Sequence, residues 1–361
     1  MKNKIKILTS AMGLGTYIPA LHIADYLNTN NYVAEVEVFE EFFDEASLDK
    51  YIKTKAMFQS SYKAAVLGHK LASKKLNFIL NDAAADRILE RWKEESADTF
   101  IILSGNWTSL VDRYMDCFSK VKAIIVHMDV GVAPSWKEFD NRDGRFIEIW
   151  PIDEKGVNYI LDNHFDEVLK TSSVKEQDNF FLHGGGWGMG TYSKKLEELS
   201  EILPNPMITA INDRKEYQPH KNTTCYMIDP DWKPWQRSNN AACDYPPMYK
   251  VADAIESIEN GYSNGLYRLY HSCCAIISKP GGGTLMDSLI TVTPVIFLEP
   301  IAEHEKVNEK LWTELGFGLP YEAWIQSGDP VKELRVMKEK IQICKSGTPY
   351  LGSRLIKELH K

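Results

Sequence analysis

Ser278-Lys279-Pro280-Gly281-Gly282-Gly283-Thr284-Leu285-Met286-Asp287 lies between two apolar runs, Cys274-Ala275-Ile276-Ile277 and Thr293-Pro294-Val295-Ile296-Phe297-Leu298. The order reads as strand, glycine loop, helix, strand. Glycines let backbone N–H groups come close to an anion, and a helix start adds partial positive charge. Lys279 brings a full charge to that loop and Thr284 a hydroxyl. Asp287 follows Thr284 by one helical turn, so both share a face. A carboxylate there can take hydrogen bonds from a ribose diol while the loop holds a diphosphate. The pattern implies a site for a nucleotide sugar.

Outward from this stretch, β and α segments alternate. In the first half, strands are expected at 4–10, 34–39, 99–104, 123–127 and 147–151, with helices at 18–27 and 109–118. The segment 46–96 reads as largely helical, with a break near 77–82. A polar stretch, 169–178, reads as a linker. A second series follows: a strand at 179–183, the glycine turn 184–190, a helix at 193–202, and strands at 207–212 and 223–228. The Pro- and Trp-rich segment 229–249 reads as an irregular loop. Such alternation implies α/β architecture with parallel sheets covered on both faces. Two β/α domains facing across a cleft are expected, 1–168 and 169–361, with the last helix packing back on the first domain. Ligands in such sheets bind at the carboxyl ends of strands.

Composition narrows the classes. A length of 361 residues suits two domains, and 44% hydrophobic residues suffice to build them. The net charge of −8 argues against general nucleic-acid binding. The absence of an 18-residue apolar run argues against a membrane span. Six cysteines without a Cys-x-x-Cys pair argue against zinc and fit a reduced, cytoplasmic protein. From Lys50 to Asn81 there are seven lysines and no carboxylate. Either this is a solvated helix face, or it is a patch for an anionic acceptor or a peripheral membrane contact. Neither glycine cluster fits Gly-x-Gly-x-x-Gly, and no P-loop occurs.

Over about thirty residues, 278–308, the chain resembles the GT-B glycosyltransferases that use nucleotide-diphosphate sugars. It is similar to the bacterial lipid-intermediate N-acetylglucosaminyltransferase, the galactolipid synthases and the UDP-glycosyltransferases. The matching pieces are Lys279, Gly281-Gly282-Gly283-Thr284, Asp287, Pro294, the run Val295–Leu298 and His304-Glu305-Lys306-Val307-Asn308. The resemblance implies a GT-B fold, two Rossmann-like domains across a cleft. It implies an inverting, metal-independent hexosyltransferase with no cofactor beyond its co-substrate. The donor expected is a UDP-sugar, with dTDP as the other candidate nucleotide, and the acceptor a small molecule or lipid. Gly281, Gly282, Gly283 and Thr284 then hold the diphosphate together with Lys279, Asp287 grips the ribose, and His304 and Glu305 read the donor sugar. Asp287 stands for the family's usual Glu, and His304-Glu305 for its Asp-Gln or Gln-Gln.

Further positions follow from the same resemblance. The turn at 184–190, with Gly186, lines the cleft or serves only as a tight turn. Trp232, in Trp232-Lys233-Pro234-Trp235-Gln236, stacks on the base or packs an ordered loop. The loop Ser10 to Pro19 matches the family's Gly-Gly-His-x-x-Pro, which puts Gly15 at the donor and Thr16 where the catalytic His is expected. Threonine is no base at neutral pH. Asp129 and His127, after the strand at 123–127, are the candidates to replace it. His22 reads as structural, and Glu40, Glu41 and Asp44 read as a solvated strand edge or a site for a cationic acceptor. Asp229-Pro230-Asp231 reads as a turn rather than a metal pair. Two other functions stay open, a nucleotide-sugar 2-epimerase and a non-catalytic nucleotide-sugar-binding subunit.

Overall fold

The structure, a computed structural model, describes residues 4–11, 13–72, 80–161, 165–166, 178–186, 188–203, 206–211, 223–236, 242–251, 255–257, 265–327 and 330–361. The expected break near 77–82 falls partly outside these residues, and the expected linker 169–178 almost wholly.

The first half runs β1 (Lys4–Thr9), α1 (Leu14–Thr29), β2 (Val33–Val38), α2 (Glu45–Ser60), α3 (Tyr62–Ala72), α4 (Asp82–Glu94), β3 (Thr99–Ile102), α5 (Thr108–Cys117), β4 (Lys122–Val126) and β5 (Phe146–Ile149). A small antiparallel pair follows, β6 (Ile152–Asp153) and β7 (Gly156–Val157). β1 to β5 form a five-stranded sheet in the order β2-β1-β3-β4-β5, parallel throughout. Its central strands are buried on both faces, as in a sheet covered on both sides, and the buried charge on β1, Lys6, is paired with Glu35, Glu37 and Glu95. The helical segment 46–96 starts at a cap and divides at two more, at one of which Ser61 accepts the Ala64 amide on its hydroxyl at 3.2 Å. Asp44 accepts the Ser47 amide at 2.8 Å and Asn81 accepts the Ala84 amide at 2.9 Å.

The second half runs β8 (Asn179–Leu182), α6 (Tyr192–Ile202), β9 (Met207–Ile211), β10 (Thr223–Ile228), β11 (Met248–Val251), β12 (Ile255–Ser257), α7 (Tyr267–Ser272), β13 (Cys273–Ser278), α8 (Gly282–Thr291), β14 (Val295–Phe297), α9 (Glu303–Leu315), β15 (Gly318–Pro320), α10 (Tyr321–Gln326), α11 (Pro330–Gly347) and α12 (Leu351–Leu359). The eight strands β8 to β15 pair in the order β12-β11-β10-β9-β8-β13-β14-β15. Only the β10-β11-β12 edge is antiparallel.

In each sheet the strand order reverses at one point. In the first it lies between β1 and β3, in the second between β8 and β13. Loops at such a point splay apart and leave a crevice. Here the two crevices face each other. α1 packs on α8, and one apolar core runs from Ile7 and Leu21 through Leu285 to Ile276. α12 rests on α1, with the Tyr26 and Ser353 hydroxyls 3.1 Å apart and Tyr26 filling the space beside Gly352. Among the described residues no helix is long and apolar enough to cross a membrane.

Candidate active site

A cavity of ≈ 340 Å³ opens between the two crevices. From the first half it is lined by the loop after β1 (Ser10, Gly13–Thr16), by Ser104 and Asn106 after β3, and by Asp129 after β4. From the second half come His183, Gly185 and Gly186 after β8, and Lys279 and Gly281–Thr284 after β13. Asp287 on α8 and His304 and Glu305 on α9 complete that wall. Lys50, Thr54 and Phe58 of α2 and His69 of α3 close the top. These helices reach across to the second half, where Tyr62 Oη donates to the Pro300 carbonyl at 3.1 Å.

Twelve of the residues singled out from sequence thus share one cavity: Gly15, Thr16, Asp129, Gly186, Lys279, Gly281, Gly282, Gly283, Thr284, Asp287, His304 and Glu305. Two do not line it. His127 is buried, its Nε2 2.9 Å from Glu148 Oε2, and its ring stacks on Trp150 at 3.8 Å between centroids. Burial lowers its pKa, although Glu148 pulls the other way. Trp232 meets Tyr17 edge-on at 5.7 Å and packs against the core.

Asp129 decides the geometry. Its Oδ1 accepts the Gly282 amide at 3.0 Å and the Asn308 side-chain amide at 2.8 Å. A carboxylate from the first half therefore sits on the start of α8 in the second, where the helix dipole favours it. Among the described residues Oδ2 takes no donor. Gly283 and Thr284, in the same first turn, have no intrahelical acceptor for their amides. Asn308 is fully buried and ties the halves together. Its Oδ1 accepts the Val130 amide at 2.9 Å, and its Nδ2 also donates to the Pro280 carbonyl at 2.9 Å. The glycines permit the approach: a Cβ on Gly282 would lie 2.3 Å from the Met128 carbonyl oxygen.

Lys279 and Glu305 form an ion pair, both nearly buried. Glu305 Oε2 also accepts the Ile301 amide at 2.7 Å. Burial alone would raise the Glu305 pKa, but Lys279, His304 and the Ile301 amide outweigh it and hold the carboxyl below its usual range. Lys279 Nζ stands over Gly281, 3.1 Å from where a Cβ would be. Asp287 is different. It is buried, accepts one hydrogen bond from Tyr267, and burial lifts its pKa to about 7. Thr16 turns back on its own loop, donating from Oγ1 to the Ser10 carbonyl at 3.0 Å.

The strand-edge carboxylates are engaged locally. Glu40 takes the Ser10 hydroxyl at 2.6 Å and the Ala11 amide at 2.7 Å, and Asp44 caps α2. Asp229 Oδ1 accepts the Asp231 amide at 2.9 Å, which makes Asp229-Pro230-Asp231 a turn. Sequence reasoning missed His69, whose pKa burial lowers to about 4. It also missed His183, taken by burial and by the charge of Lys279 to about 3. His183 Nδ1 accepts the Gly185 amide at 2.9 Å, so its proton is on Nε2, 3.3 Å from the Tyr270 hydroxyl. Nothing in the sequence places His69 near the glycine loop. His183, at the end of β8 before three glycines, carried the one available signal.

No protein-family model and no curated protein matches the sequence. Solved structures do match, over nearly the whole chain. The glycosyltransferase VinC in complex with dTDP superimposes with a TM-score of 0.59 at 9% identity, covering 99% of this chain and 98% of that one. The fold is GT-B. The Streptomyces sp. SF2575 glycosyltransferase SsfS6, complexed with thymidine diphosphate, aligns over 99% of both chains with a TM-score of 0.54 at 12% identity. Acinetobacter baumannii MurG aligns over 99% of both with a TM-score of 0.53 at 11% identity. In GT-B terms, the crevice residues of this chain fall where the two Rossmann-like sheets face each other.

Proposed function

We propose that the protein is a glycosyltransferase that moves a sugar from a nucleoside diphosphate to a hydroxyl acceptor, with inversion and without a metal. The observation that carries this reading is Asp129. It comes from the first half, keeps one oxygen on the Gly282 amide, and lines the cavity together with Gly283 and Thr284. Residues 169–361 bind the donor. Gly283, Thr284 and Lys279 hold its diphosphate, Asp287 meets the ribose, and His304 faces the sugar. Residues 1–168 bind the acceptor beneath α2 and α3.

In the reaction the acceptor oxygen forms a bond to the anomeric carbon while the bond to the diphosphate breaks. The acceptor proton passes to Asp129 Oδ2. Negative charge grows on the leaving phosphate, where preorganised amides and Lys279 stabilise it. Asp129 supplies the base that Thr16 lacks, which weighs against a non-catalytic binding subunit. The epimerase reading is weakened because Glu305 is held by Lys279 and Ile301.

The donor base is uracil by the sequence resemblance. The thymidine diphosphate complexes among the structural neighbours support dTDP equally. No cofactor beyond the donor is needed. Six free thiols fit a cytoplasmic location, and the exposed lysines and apolar side chains of α2 and α3 suit a lipid acceptor as well as a small molecule.

Thermal stabilisation by a panel of UDP-, dTDP-, GDP- and ADP-sugars, with and without EDTA, tests the proposal. One donor at about 100 times its Kd should stabilise by about 2.7 kcal/mol, unchanged by the chelator. No response to any donor overturns the donor site, and a response abolished by EDTA overturns metal independence.

A further inference from the structure

The transfer step above leaves His69 unused, although His69 lines the same cavity as Asp129, Lys279 and His304. It belongs to α3 in the first half. Two sets of contacts fix its place. Within the first half, Gly68 lets α3 come close to α2, since a Cβ there would lie 2.1 Å from Phe58 Cζ. The Phe58 ring packs beside the His69 ring, with 6.0 Å between centroids and planes 31° apart. Across the cleft, Tyr62 Oη donates to the Pro300 carbonyl at 3.1 Å. Phe58 and Ala65 share an apolar cluster with Met189 and Ile301 of the second half. Tyr62 and His69 are seven residues apart on α3, about two turns, so both lie on the face turned to the second half.

These contacts bring His69 to one end of the cavity. Pro300 and Ile301 lead into α9, which starts at Glu303. The Ile301 amide is taken by Glu305 Oε2 at 2.7 Å, and Glu305 Oε1 pairs with Lys279. His304 stands on the same turn, its Cα 3.2 Å from where a Cβ on Gly131 would be. The charged groups at this end thus hold each other, and Asp129 Oδ1 is taken by Gly282 and Asn308. His69 is different. Its ring is half-buried, and among the described residues it has no hydrogen-bond partner. Burial lowers its pKa to about 4, with Lys279, His304 and Lys137 acting the same way and Glu305 against them. Near pH 7 the ring is therefore neutral and carries one N–H donor and one acceptor nitrogen. A hydroxyl, which both gives and takes a hydrogen bond, suits either nitrogen.

We propose that His69 is a specificity residue for the donor, hydrogen-bonding a hydroxyl of its sugar from the half opposite to His304. The inference rests on the reading that the cavity holds a nucleotide sugar with its sugar at His304. The donor would then be read from both sides of the cleft: diphosphate and sugar by the second half, and one sugar hydroxyl by α3 of the first.

The test is calorimetric titration of the whole chain at neutral pH with UDP-glucose, UDP-N-acetylglucosamine and dTDP-glucose, each against its free diphosphate. The quantity read is the ratio of the two dissociation constants, in which the contributions of base, ribose and phosphates largely cancel. His69→Phe keeps a ring against Phe58 but carries no nitrogen. For the sugar nucleotide that the wild-type chain binds most tightly, the variant should worsen this ratio by about 3- to 10-fold, the scale of one hydrogen bond. Affinity for free UDP or dTDP should stay as it is. His69→Leu should behave alike, which covers a Phe variant that folds poorly. An unchanged ratio in a folded variant overturns the assignment. An equal loss for diphosphate and sugar nucleotide overturns it too, since His69 would then only shape the cleft. If the free diphosphates bind the wild-type chain but no sugar nucleotide does, this inference falls and the nucleotide site stands; if nothing binds, both fall.

Discussion

Asp129→Asn separates binding from chemistry, because the two should move in opposite directions. Asn keeps an acceptor for Gly282 and Asn308, whose bonds to Oδ1 are 3.0 and 2.8 Å. The docking of the halves therefore survives. The charge does not. A phosphate on the Gly283 and Thr284 amides would stand roughly 5 Å from the Asp129 carboxylate. At an effective permittivity of about 20, two unit charges at that distance repel by about 3 kcal/mol. Salt and cavity water cut this to about 1–2 kcal/mol. UDP or dTDP should thus bind Asp129→Asn about 5- to 30-fold more tightly, measured by calorimetry at low salt. Sugar transfer, followed as nucleoside diphosphate release with saturating acceptor, should drop by about 10²- to 10⁴-fold, the contribution of a general base. Weaker nucleotide binding with undiminished turnover would refute both halves of the reasoning, placing the phosphate elsewhere and the base on another residue.

Gly282→Ala puts a Cβ 2.3 Å from the Met128 oxygen and 2.8 Å from Asp129 Oδ1, so it should lower the thermal midpoint and weaken nucleotide binding together. Gly13→Ala, with nothing within 4 Å of the new Cβ, should change neither; equal effects at both positions would mean the halves do not meet at Gly282. Glu305→Gln leaves Lys279 buried without its counter-ion and should cost about 3–5 kcal/mol at neutral pH in denaturant unfolding. The Glu305 carboxyl is held below its usual value by Lys279 against the opposing effect of burial. Its stabilisation is therefore complete above the unfolded carboxylate's pKa of about 4.3 and is lost as pH falls through the lower folded value. The gap between wild type and Glu305→Gln should close at acid pH, and a gap that persists below about pH 3 would show the pair contributes by packing alone.

The strands were legible because their apolar runs are long for their length. The run at 274–277 became β13 and the run at 295–298 became β14, with α8 between them. The turn at 229–231 was legible too, since Asp before Pro closes on its own backbone. Contacts between the halves were not. Gly282 reads in sequence as a glycine kept open for an anion, yet the atoms nearest its missing side chain belong to Met128 and Asp129. His127 and Asp129 sit two residues apart and look alike as bases. The difference comes from β5, whose Glu148 takes His127 out of the cavity. His69 could not be found at all, because nothing in a 62–72 helical pattern says that it folds over a loop at 279–284.

Docking of the halves and positioning of the base are one interaction here. Many bonds cross between the halves, beside an apolar core they share, and several lie at or next to the proposed base. Asn308 takes the Val130 amide, Asp129 takes the Gly282 amide, and Tyr17 donates to the Asp244 carbonyl at 2.8 Å. Each contributes about 1 kcal/mol. Where the halves part, Asp129 loses both donors to Oδ1, and with them its fixed orientation. A separated first half would keep the surface under α2 and α3 proposed for the acceptor but hold no fixed base. In the proposed transfer, closure would therefore do more than exclude water: it would fix the general base, confining proton transfer to the state in which donor and acceptor already face each other.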